Sequence, residues 1–389
     1  MSNRCILPWI SLETTPLGGI RPCCLVDTEI KDVDVRTHTL EQVFRGKHMQ
    51  DLRNEFKQDL RPKQCERCWR EEDAGKKSKR QYMLDKFKHL DVDYTDIQGY
   101  KLQFLDLKLG NICNLKCRIC GSWSSSSWAQ EDIAQHGKEH IATDWLRLGG
   151  WPRKSKMFWE HMDNLLPDIK YFEFTGGEPF LIKQHFDLLQ RAVDAGYAQD
   201  IDIHYNTNGT QFPKQHKVWK NFKRVQIAFS IDNVGKRFEY ERDGANWDTV
   251  NQNIAKFHEL KQRGYPFDFQ ICVTWNIQNT FYMSEFLSWA KTQSIKDIHF
   301  NLMHDPWEFS LFNLPANSRK MLVESLENTL KNHPDYAEKI NSIKFIVSDL
   351  SNTTDGSALI TKLTEKDKFR NIHFSDSHKE IAQAIGYEL

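Results

Sequence analysis

Three cysteines lie close together in the segment Leu105 to Cys120, which reads LDLKLGNICNLKCRIC. Cys113, Cys117 and Cys120 have the spacing C-x3-C-x2-C, so one short loop can bring three thiolates to a single metal centre. Thiolates bind both zinc and iron–sulfur clusters. A structural zinc site is closed by a fourth protein ligand, whereas a reactive metal centre keeps one position open for a substrate. The loop therefore predicts a metal centre whose fourth ligand decides the chemistry.

The residues that follow the loop offer no nearby fourth ligand. Gly121, Ser122 and Trp123 come next, then a run of serines, and the first histidine after the loop is His136. A structural zinc knuckle would need a Cys or His a few residues further on. An iron–sulfur cluster with three thiolates and one open iron fits better, and zinc is the alternative.

Five more cysteines are spread over the first 75 residues, and four of them are our candidate metal ligands. Cys5 precedes a Pro-Trp pair, Cys23 ends a Gly-x-x-Pro-Cys segment, and Cys65 and Cys68 form a C-x2-C pair. A unit this small usually needs a metal or disulfides for its stability. We predict that the four thiolates bind a metal, with Cys24 as a possible substitute for Cys23. A zinc ribbon and an iron–sulfur cluster both satisfy this pattern.

The composition excludes some classes of protein. The 389 residues include 53 basic and 53 acidic side chains, so the formal net charge is zero and nucleic-acid binding through bulk charge is not indicated. We see no apolar run long enough to span a bilayer and no signal peptide. We therefore expect a cytoplasmic protein that needs no membrane. In that compartment clustered cysteines are metal ligands rather than disulfides.

Strand-like and helix-like segments alternate from residue 102 onward. Helical stretches such as Gln184–Ala195 and Trp247–Arg263 separate the strands. This alternation is typical of an α/β fold with parallel strands and crossover helices, and in parallel barrels the reactive residues follow the carboxyl ends of the strands. The predicted strands are 102–109, 170–175, 201–206, 224–231, 267–275 and 296–302.

Polar motifs follow these strands. The second strand leads into Gly176-Gly177-Glu178-Pro179, where glycines let the backbone approach a ligand and a carboxylate can bind an ammonium group. The planar guanidinium group of an arginine can donate hydrogen bonds to both oxygens of a carboxylate. Each of the further candidates can also be a turn residue or a helix cap. They are Asn208, Ser230, Asp232, Arg242 and Asn276.

The cysteine loop and the GGEP run together resemble the signature of the radical S-adenosylmethionine (SAM) superfamily. The resemblance implies a partial (β/α)6 TIM barrel in which Cys113, Cys117 and Cys120 hold three irons of a [4Fe-4S] cluster and SAM binds the fourth iron. The family usually has an aromatic residue before the last cysteine, where this chain has Ile119. The implied contacts to SAM are Ile119, Gly176, Gly177, Glu178, Pro179, Asn208, Ser230, Asp232, Arg242 and Asn276.

The N-terminal pattern resembles the twitch/SPASM auxiliary domain of the same enzymes. It shares the opening Cys with Pro-Trp, the Pro-Cys-Cys turn and the closing C-x2-C. The resemblance implies a second [4Fe-4S] cluster on Cys5, Cys23, Cys65 and Cys68. In the family this domain normally follows the barrel, whereas here it precedes it.

The expected organisation has four parts. Residues 1–75 form the auxiliary domain and 76–101 a charged linker with a helix. The radical SAM barrel spans 102–303 with an insertion at 121–168, and 304–389 is a helical extension. We expect the tryptophans of the insertion to pack a subdomain.

The resemblance implies that SAM is cleaved reductively to a 5′-deoxyadenosyl radical, which removes hydrogen from a substrate. Electrons would come from a reductant such as flavodoxin or ferredoxin. A second cluster favours an oxidoreductase that modifies a peptide or protein. Oxidation of a small-molecule alcohol or sugar is the alternative, and a zinc-stabilised adaptor is the non-enzymatic one. No catalytic side chain is assigned.

Overall fold

The computed structural model describes residues 3–349 and 354–387, and a mostly parallel sheet is its centre. The strands of the described residues are β1 (Ser11–Thr14), β2 (Ile20–Arg21), β3 (Phe104–Lys108), β4 (Lys116–Cys117), β5 (Tyr171–Thr175), β6 (Asp202–Thr207), β7 (Arg224–Ser230), β8 (Arg242–Asp243), β9 (Phe267–Trp275) and β10 (Asp297–Leu302). Eight of them form one sheet in the order β10-β9-β7-β6-β5-β3-β1-β2. Within it β1 and β2 are antiparallel and the other neighbours are parallel.

Helices connect the parallel strands, as the alternation predicted. The N-terminal part has helices Leu7–Ile10, Leu40–Phe44, Lys47–Lys57, Glu66–Asp73 and Lys79–Lys86. The insertion has Ser126–His136, Ala142–Leu148, Trp151–Lys154 and Lys156–Leu165. The crossovers include Lys183–Asp194, Gly235–Glu241, Trp247–Gln262, Ile277–Thr280 and Met283–Thr292, and the C-terminal extension includes Ala316–Asn332, Ala337–Ser348, Ser357–Arg370, Phe374–Ser377 and Lys379–Ile385.

The α/β class and the six predicted strands are confirmed, and the sheet is consistent with a partial barrel. Each of these strands begins and ends within two residues of its predicted bounds. The helices Leu40–Phe44 and Lys47–Lys57 are separate, because Gly46 begins the second one in an extended conformation. No helix within residues 3–349 and 354–387 is long and apolar enough to cross a membrane.

The two faces of the sheet differ in polarity. Side chains alternate between the faces of a strand. Leu105 and Leu107 of β3 point into the hydrophobic core with the helices. Asp106 lies between them in sequence and therefore on the other face, which we call the polar face of the sheet.

The N-terminal domain is joined to this sheet by hydrogen bonds. Strand β1 pairs in parallel with β3, with Glu13 opposite Asp106. Leu12, Ile20 and Phe44 belong to the same hydrophobic core as the barrel strands. The boundaries at residues 75, 101 and 303 stay predictions, but the auxiliary domain clearly shares a sheet with the barrel.

The insertion packs mainly against the core. Trp151 and Trp159 are buried there, with Trp151 against the ring of Phe158 at 4.9 Å between centroids. Trp123 differs, because 49% of its surface is exposed. Trp151 and Trp159 therefore pack as expected, but within the main hydrophobic core rather than in a separate subdomain.

Candidate active site

The cysteine loop leaves the carboxyl end of β3 and is fixed by hydrogen bonds on both sides. The Cys113 N–H donates to Ser126 Oγ at 3.1 Å, and the Trp128 indole N–H donates to the Cys117 carbonyl at 2.8 Å. On the other side Cys117 pairs with Arg242 in the small sheet of β4 and β8. The serines and tryptophan after the loop therefore position it, which their sequence gave no direct reason to expect.

The three cysteines are half-buried. Burial raises the pKa of Cys117 to about 12. The Arg242 guanidinium lowers this pKa in part, and the Cys120 thiolate raises it further. The pKa of Cys113 is raised by burial and then by Cys117. A bound metal would supply the positive charge that makes thiolates favourable in such a site. The donor set therefore fits a metal centre.

The glycine turn after β5 packs directly on the cysteine loop. The Gly177 N–H donates to the Gly110 carbonyl at 3.0 Å, and the Glu178 N–H donates to the Ile112 carbonyl at 2.8 Å. A Cβ atom on Gly177 would lie 2.3 Å from the Ile112 oxygen, which is closer than atoms can approach. Gly176 has φ +107°, a conformation that favours glycine. The two strongest sequence motifs are therefore in contact.

Glu178 lies at the centre of this contact and is 1% exposed. Its carboxylate accepts hydrogen bonds from the Thr207 hydroxyl at 2.8 Å, from the Asn208 N–H at 2.8 Å and from the Phe180 N–H at 3.1 Å. Burial raises its pKa to about 7 although these bonds lower it. The carboxylate thus ties the glycine turn to the end of β6, and its contact with an ammonium group of SAM stays a prediction. Pro179 is buried and begins the turn that follows.

Asn208 reaches the cysteine loop as well. Its side-chain nitrogen donates to Asn114 Oδ1 at 3.1 Å and lies 3.8 Å from Cys113 Sγ. Asn114 in turn donates to the Thr210 hydroxyl at 3.0 Å. Asn114 and Thr210 were not among the predicted site residues, although each lies beside a predicted motif, and adjacency to a motif was the available signal.

Asp232 and Arg242 were both predicted to contact SAM, and the structure pairs them with each other. Arg242 Nη2 donates to Asp232 at 2.5 Å, and the other Asp232 oxygen accepts from the Thr274 N–H at 2.8 Å. Arg242 Nη1 lies 3.8 Å from Cys117 Sγ. The guanidinium thus stands beside a candidate metal ligand, and its contact with a SAM carboxylate stays a prediction.

The remaining predicted contacts lie near the strand ends in different settings. Ser230 ends β7 opposite Cys272. Ile119 is half-buried against the hydrophobic core. Asn276 is fully buried and caps the next helix, since its side-chain oxygen accepts from the Gln278 N–H at 2.8 Å and its nitrogen donates to the Thr274 carbonyl at 2.9 Å. The capping role of Asn276 is therefore observed, and its contact with SAM stays a prediction.

The auxiliary cysteines line one small cavity in the N-terminal domain. Cys5, Cys23, Cys65 and Cys68 face it together, with apolar side chains and the cations of Lys79 and Arg80 around them. Burial, followed by neighbouring thiolates, raises the pKa of Cys5 and Cys65.

Cys24 does not line this cavity. Its sulfur instead accepts a hydrogen bond from Lys79 Nζ at 2.7 Å. The geometry thus favours Cys23 over Cys24. Across the described residues no group of three His, Cys, Asp or Glu side chains lies close enough together to hold a single metal ion. A [4Fe-4S] cluster is a larger body, and each of its cysteine thiolates binds a different iron.

Two family models match the chain. Residues 107–276 match the radical SAM superfamily, and residues 5–69 match SPASM, an iron–sulfur cluster-binding domain. The chain thus carries a radical SAM domain with a SPASM domain on its N-terminal side. The predicted resemblance, the order of the two domains and the predicted cofactors, iron–sulfur clusters and SAM, are confirmed.

Curated relatives and a solved structure give weaker likenesses. The radical SAM cyclopropyl synthase TigE of Paramaledivibacter caminithermalis is 23% identical over 231 residues, covering 58% of this chain and 46% of the relative. The GTP 3′,8-cyclase of Aliarcobacter butzleri is 23% identical over 171 residues, covering 43% and 45%. The chain spans about half the length of these relatives. A structure described as native anSMEcpe with bound AdoMet has a TM-score of 0.42 and 17% identity, covering 61% of this chain and 62% of that one.

Proposed function

We propose that this chain, which carries a radical SAM domain and an N-terminal SPASM domain, is an enzyme that cleaves SAM reductively and removes hydrogen from a substrate. Cys113, Cys117 and Cys120 would hold the SAM-binding cluster, and Cys5, Cys23, Cys65 and Cys68 the auxiliary one. Together with a reductant such as flavodoxin or ferredoxin, the first cluster and SAM would supply a 5′-deoxyadenosyl radical.

One observation carries the proposal: the glycine turn lies against the cysteine loop with no space for a side chain. The Gly177 backbone is held at the loop by the 3.0 Å bond to Gly110, and a Cβ atom would meet the Ile112 oxygen at 2.3 Å. Two segments far apart in sequence are therefore packed backbone against backbone, which fixes the surface beside the three thiols. A side chain at Gly177 would push the turn away from the loop, so the glycine holds the two motifs of the proposed site together.

The surrounding residues prepare this surface without reacting themselves. Glu178 fixes the glycine turn to β6, and Asn208 links β6 to the cysteine loop. Arg242 places a positive charge 3.8 Å from Cys117 Sγ, which favours the thiolate and the reduced state of any cluster bound there. These residues hold geometry and charge in place, so that the radical chemistry is left to the cofactor.

For the reaction we propose an oxidative modification of a peptide or protein. The support is the auxiliary cysteine cavity, which would hold a second cluster able to accept an electron from the substrate. The oxidoreductase class is part of this proposal, because the curated relatives are named a synthase and a cyclase. Metal analysis tests it against a zinc-stabilised adaptor: anaerobic protein should contain iron and sulfide in nearly equal amounts, and stoichiometric zinc without sulfide would refute it.

The decisive experiment replaces Cys113, Cys117 and Cys120 together by Ala. We expect this variant to produce no 5′-deoxyadenosine from SAM and dithionite while it keeps about half of the iron. Cys272→Ala is the matched control, because this cysteine lies within β9 and belongs to neither group. It should keep the full iron content and SAM cleavage. Production of 5′-deoxyadenosine by the triple variant would overturn the proposed site.

A further inference from the structure

A row of polar side chains crosses the polar face of the sheet below the cysteine loop. Neighbouring strands place Glu13 opposite Asp106, Asp106 opposite Glu173, and Glu173 opposite His204. Adjacent strands lie about 4.8 Å apart, so side chains opposite each other on one face are in reach of one another. The row continues through Gln226 to Asp268 in the same register.

Most members of this row have partners within the chain. His204 shares a hydrogen bond of 2.9 Å with Gln226. Burial raises the pKa of Glu173, but Lys79 and then His204 stabilise its carboxylate more strongly. The pKa of Glu173 therefore stays below its ordinary value. Asp268, at the far end of the row, also has a hydrogen-bond partner, because Arg224 Nε donates to its carboxylate at 2.5 Å.

Asp106 differs from them. It is 4% exposed, and its Oδ1 atom has no hydrogen-bond partner among the described residues. Lys108 lies 3.9 Å from that oxygen, beyond hydrogen-bond distance, and donates instead to Oε1 of Glu13. The second oxygen of Glu13, a side chain that is fully buried, likewise lacks a partner in the described part of the chain. Two neighbouring buried acceptor atoms are thus left without donors.

An unpartnered buried acceptor is costly, and it calls for a donor such as a water molecule, an ion or a ligand. Burial, and next the charge of Glu173, raise the pKa of Asp106 to about 7, while Lys108 and Lys79 oppose this rise. The ammonium group of Lys108 donates its hydrogen bond to Glu13 and acts on Asp106 only through its charge. A second cation at this point would donate hydrogen bonds to the unpartnered oxygens and relieve the repulsion between the carboxylates.

The position suits a substrate. Asp106 lies two residues before the end of β3, from which the cysteine loop departs, so it is about 7 Å along the strand from Lys108. On the opposite side Lys79 joins the row to Cys24, which is next to the auxiliary ligand Cys23. A molecule bound at Asp106 would therefore lie on the strand that leads to the cysteine loop and near Lys79, which lines the auxiliary cavity.

We propose that Asp106 and Glu13 form a recognition site for an ammonium group of the substrate. This inference rests on the proposed function, since it specifies the substrate of that same site as an amine-bearing molecule. The amine would donate hydrogen bonds to Asp106 Oδ1 and Glu13 Oε2. A lysine side chain of a peptide and a free alkylamine share this chemistry.

The test measures binding by calorimetry with the anaerobic holoenzyme in the presence of SAM. The probes are N-acetyl-lysine amide with its neutral counterpart N-acetyl-norleucine amide, and n-butylamine with n-butanol. Since hydrogen bonds to charged groups are the strong ones, we expect the wild type to prefer at least one amine over its neutral counterpart about tenfold or more. Preference for the lysine derivative alone indicates a peptide, and preference for butylamine as well indicates a small amine.

Asp106→Asn should abolish this preference, and Asp268→Asn is the matched control that should keep it, because Asp268 lies in the same row with Arg224 as its partner. Two results would overturn the inference. The first is equal affinity of the wild type for the amines and their neutral counterparts, which can be measured even if Asp106→Asn fails to fold. The second is an unchanged preference for amines in a folded Asp106→Asn variant. SAM cleavage without substrate is measured in the same samples. Its absence would refute the proposed function, whereas its presence without amine preference refutes this inference alone.

Discussion

Asp367 ties the C-terminal extension to the cysteine loop, and we predict that Asp367→Asn strongly destabilises the protein. Its carboxylate accepts hydrogen bonds from the Arg118 guanidinium, from the Tyr240 hydroxyl at 2.9 Å, from the Phe374 N–H at 2.8 Å and from the Tyr387 hydroxyl at 2.5 Å. Arg118 lies between Cys117 and Cys120, so the bond reaches the candidate metal site directly.

The magnitude follows from burial. The side chains of Arg118 and Asp367 are 2% and 0% exposed. Removing one partner of a buried ion pair costs about 3–5 kcal/mol, because the other charge is left uncompensated. The loss would leave the Arg118 guanidinium poorly hydrogen-bonded, since its Nε and Nη1 atoms already lack hydrogen-bond partners among the residues described. We therefore expect the free energy of unfolding to fall by about 3–5 kcal/mol.

The assay is urea denaturation followed by tryptophan fluorescence, combined with the iron content of the anaerobic protein. Asp144→Asn is the control, because its 3.0 Å pair with Arg147 is exposed, and such pairs contribute about 0–1 kcal/mol. We also expect Asp367→Asn to lose iron from the loop site first. A fall of less than about 1 kcal/mol with unchanged iron would refute the role given to the C-terminal extension.

Three further experiments test other parts of the structure. Gly177→Ala should reduce SAM binding in equilibrium dialysis, because its Cβ atom would meet the Ile112 oxygen at 2.3 Å. Gly150→Ala is the control and should bind SAM normally, because its Cβ atom meets nothing closer than 3.6 Å. Equal SAM binding by the two variants would contradict the contact. Cys23→Ser should lose the iron of the auxiliary site and Cys24→Ser should keep it, and the reverse result in iron analysis would exchange their roles. Burial raises the pKa of Glu241 from 4.5 to about 8, so the native state holds a proton that the unfolded state releases, and this stabilisation is lost as the pH rises from about 5 to 8. Glu241→Gln should remove about 1.4 kcal/mol per pH unit from the slope of unfolding free energy in that range, and an unchanged slope in urea titrations would contradict the assignment.

The sequence predicted the parts of the fold that have a local signal. The strands from β3 to β10 in the large sheet alternate core and polar-face residues, as Leu105, Asp106 and Leu107 show, and a period of two is readable without a structure. The glycine turn and the cysteine loop were placed correctly because each follows a strand in a parallel sheet.

The parts that were missed depend on distant partners. Strand β1 reads Ser-Leu-Glu-Thr and is buried throughout, so it offers neither alternation nor an apolar run. Arg118 and Asp367 are 249 residues apart, and nothing in either neighbourhood indicates the other. Asp232 and Arg242 were each suited to a polar ligand, but only the tertiary structure shows that they neutralise one another.

The pairing of β1 with β3 explains how an auxiliary domain can precede the barrel and still lie beside it. A flexible linker would leave its position open, but the parallel register fixes Glu13 opposite Asp106 and β2 at the edge of the same sheet. The turn after β2 then carries Cys23 to the cavity and Cys24 to Lys79, whose charge acts on both Asp106 and Glu173. Strand pairing, rather than the order of domains along the chain, therefore sets the relation between the two cysteine groups, and the polar face is the surface that connects them.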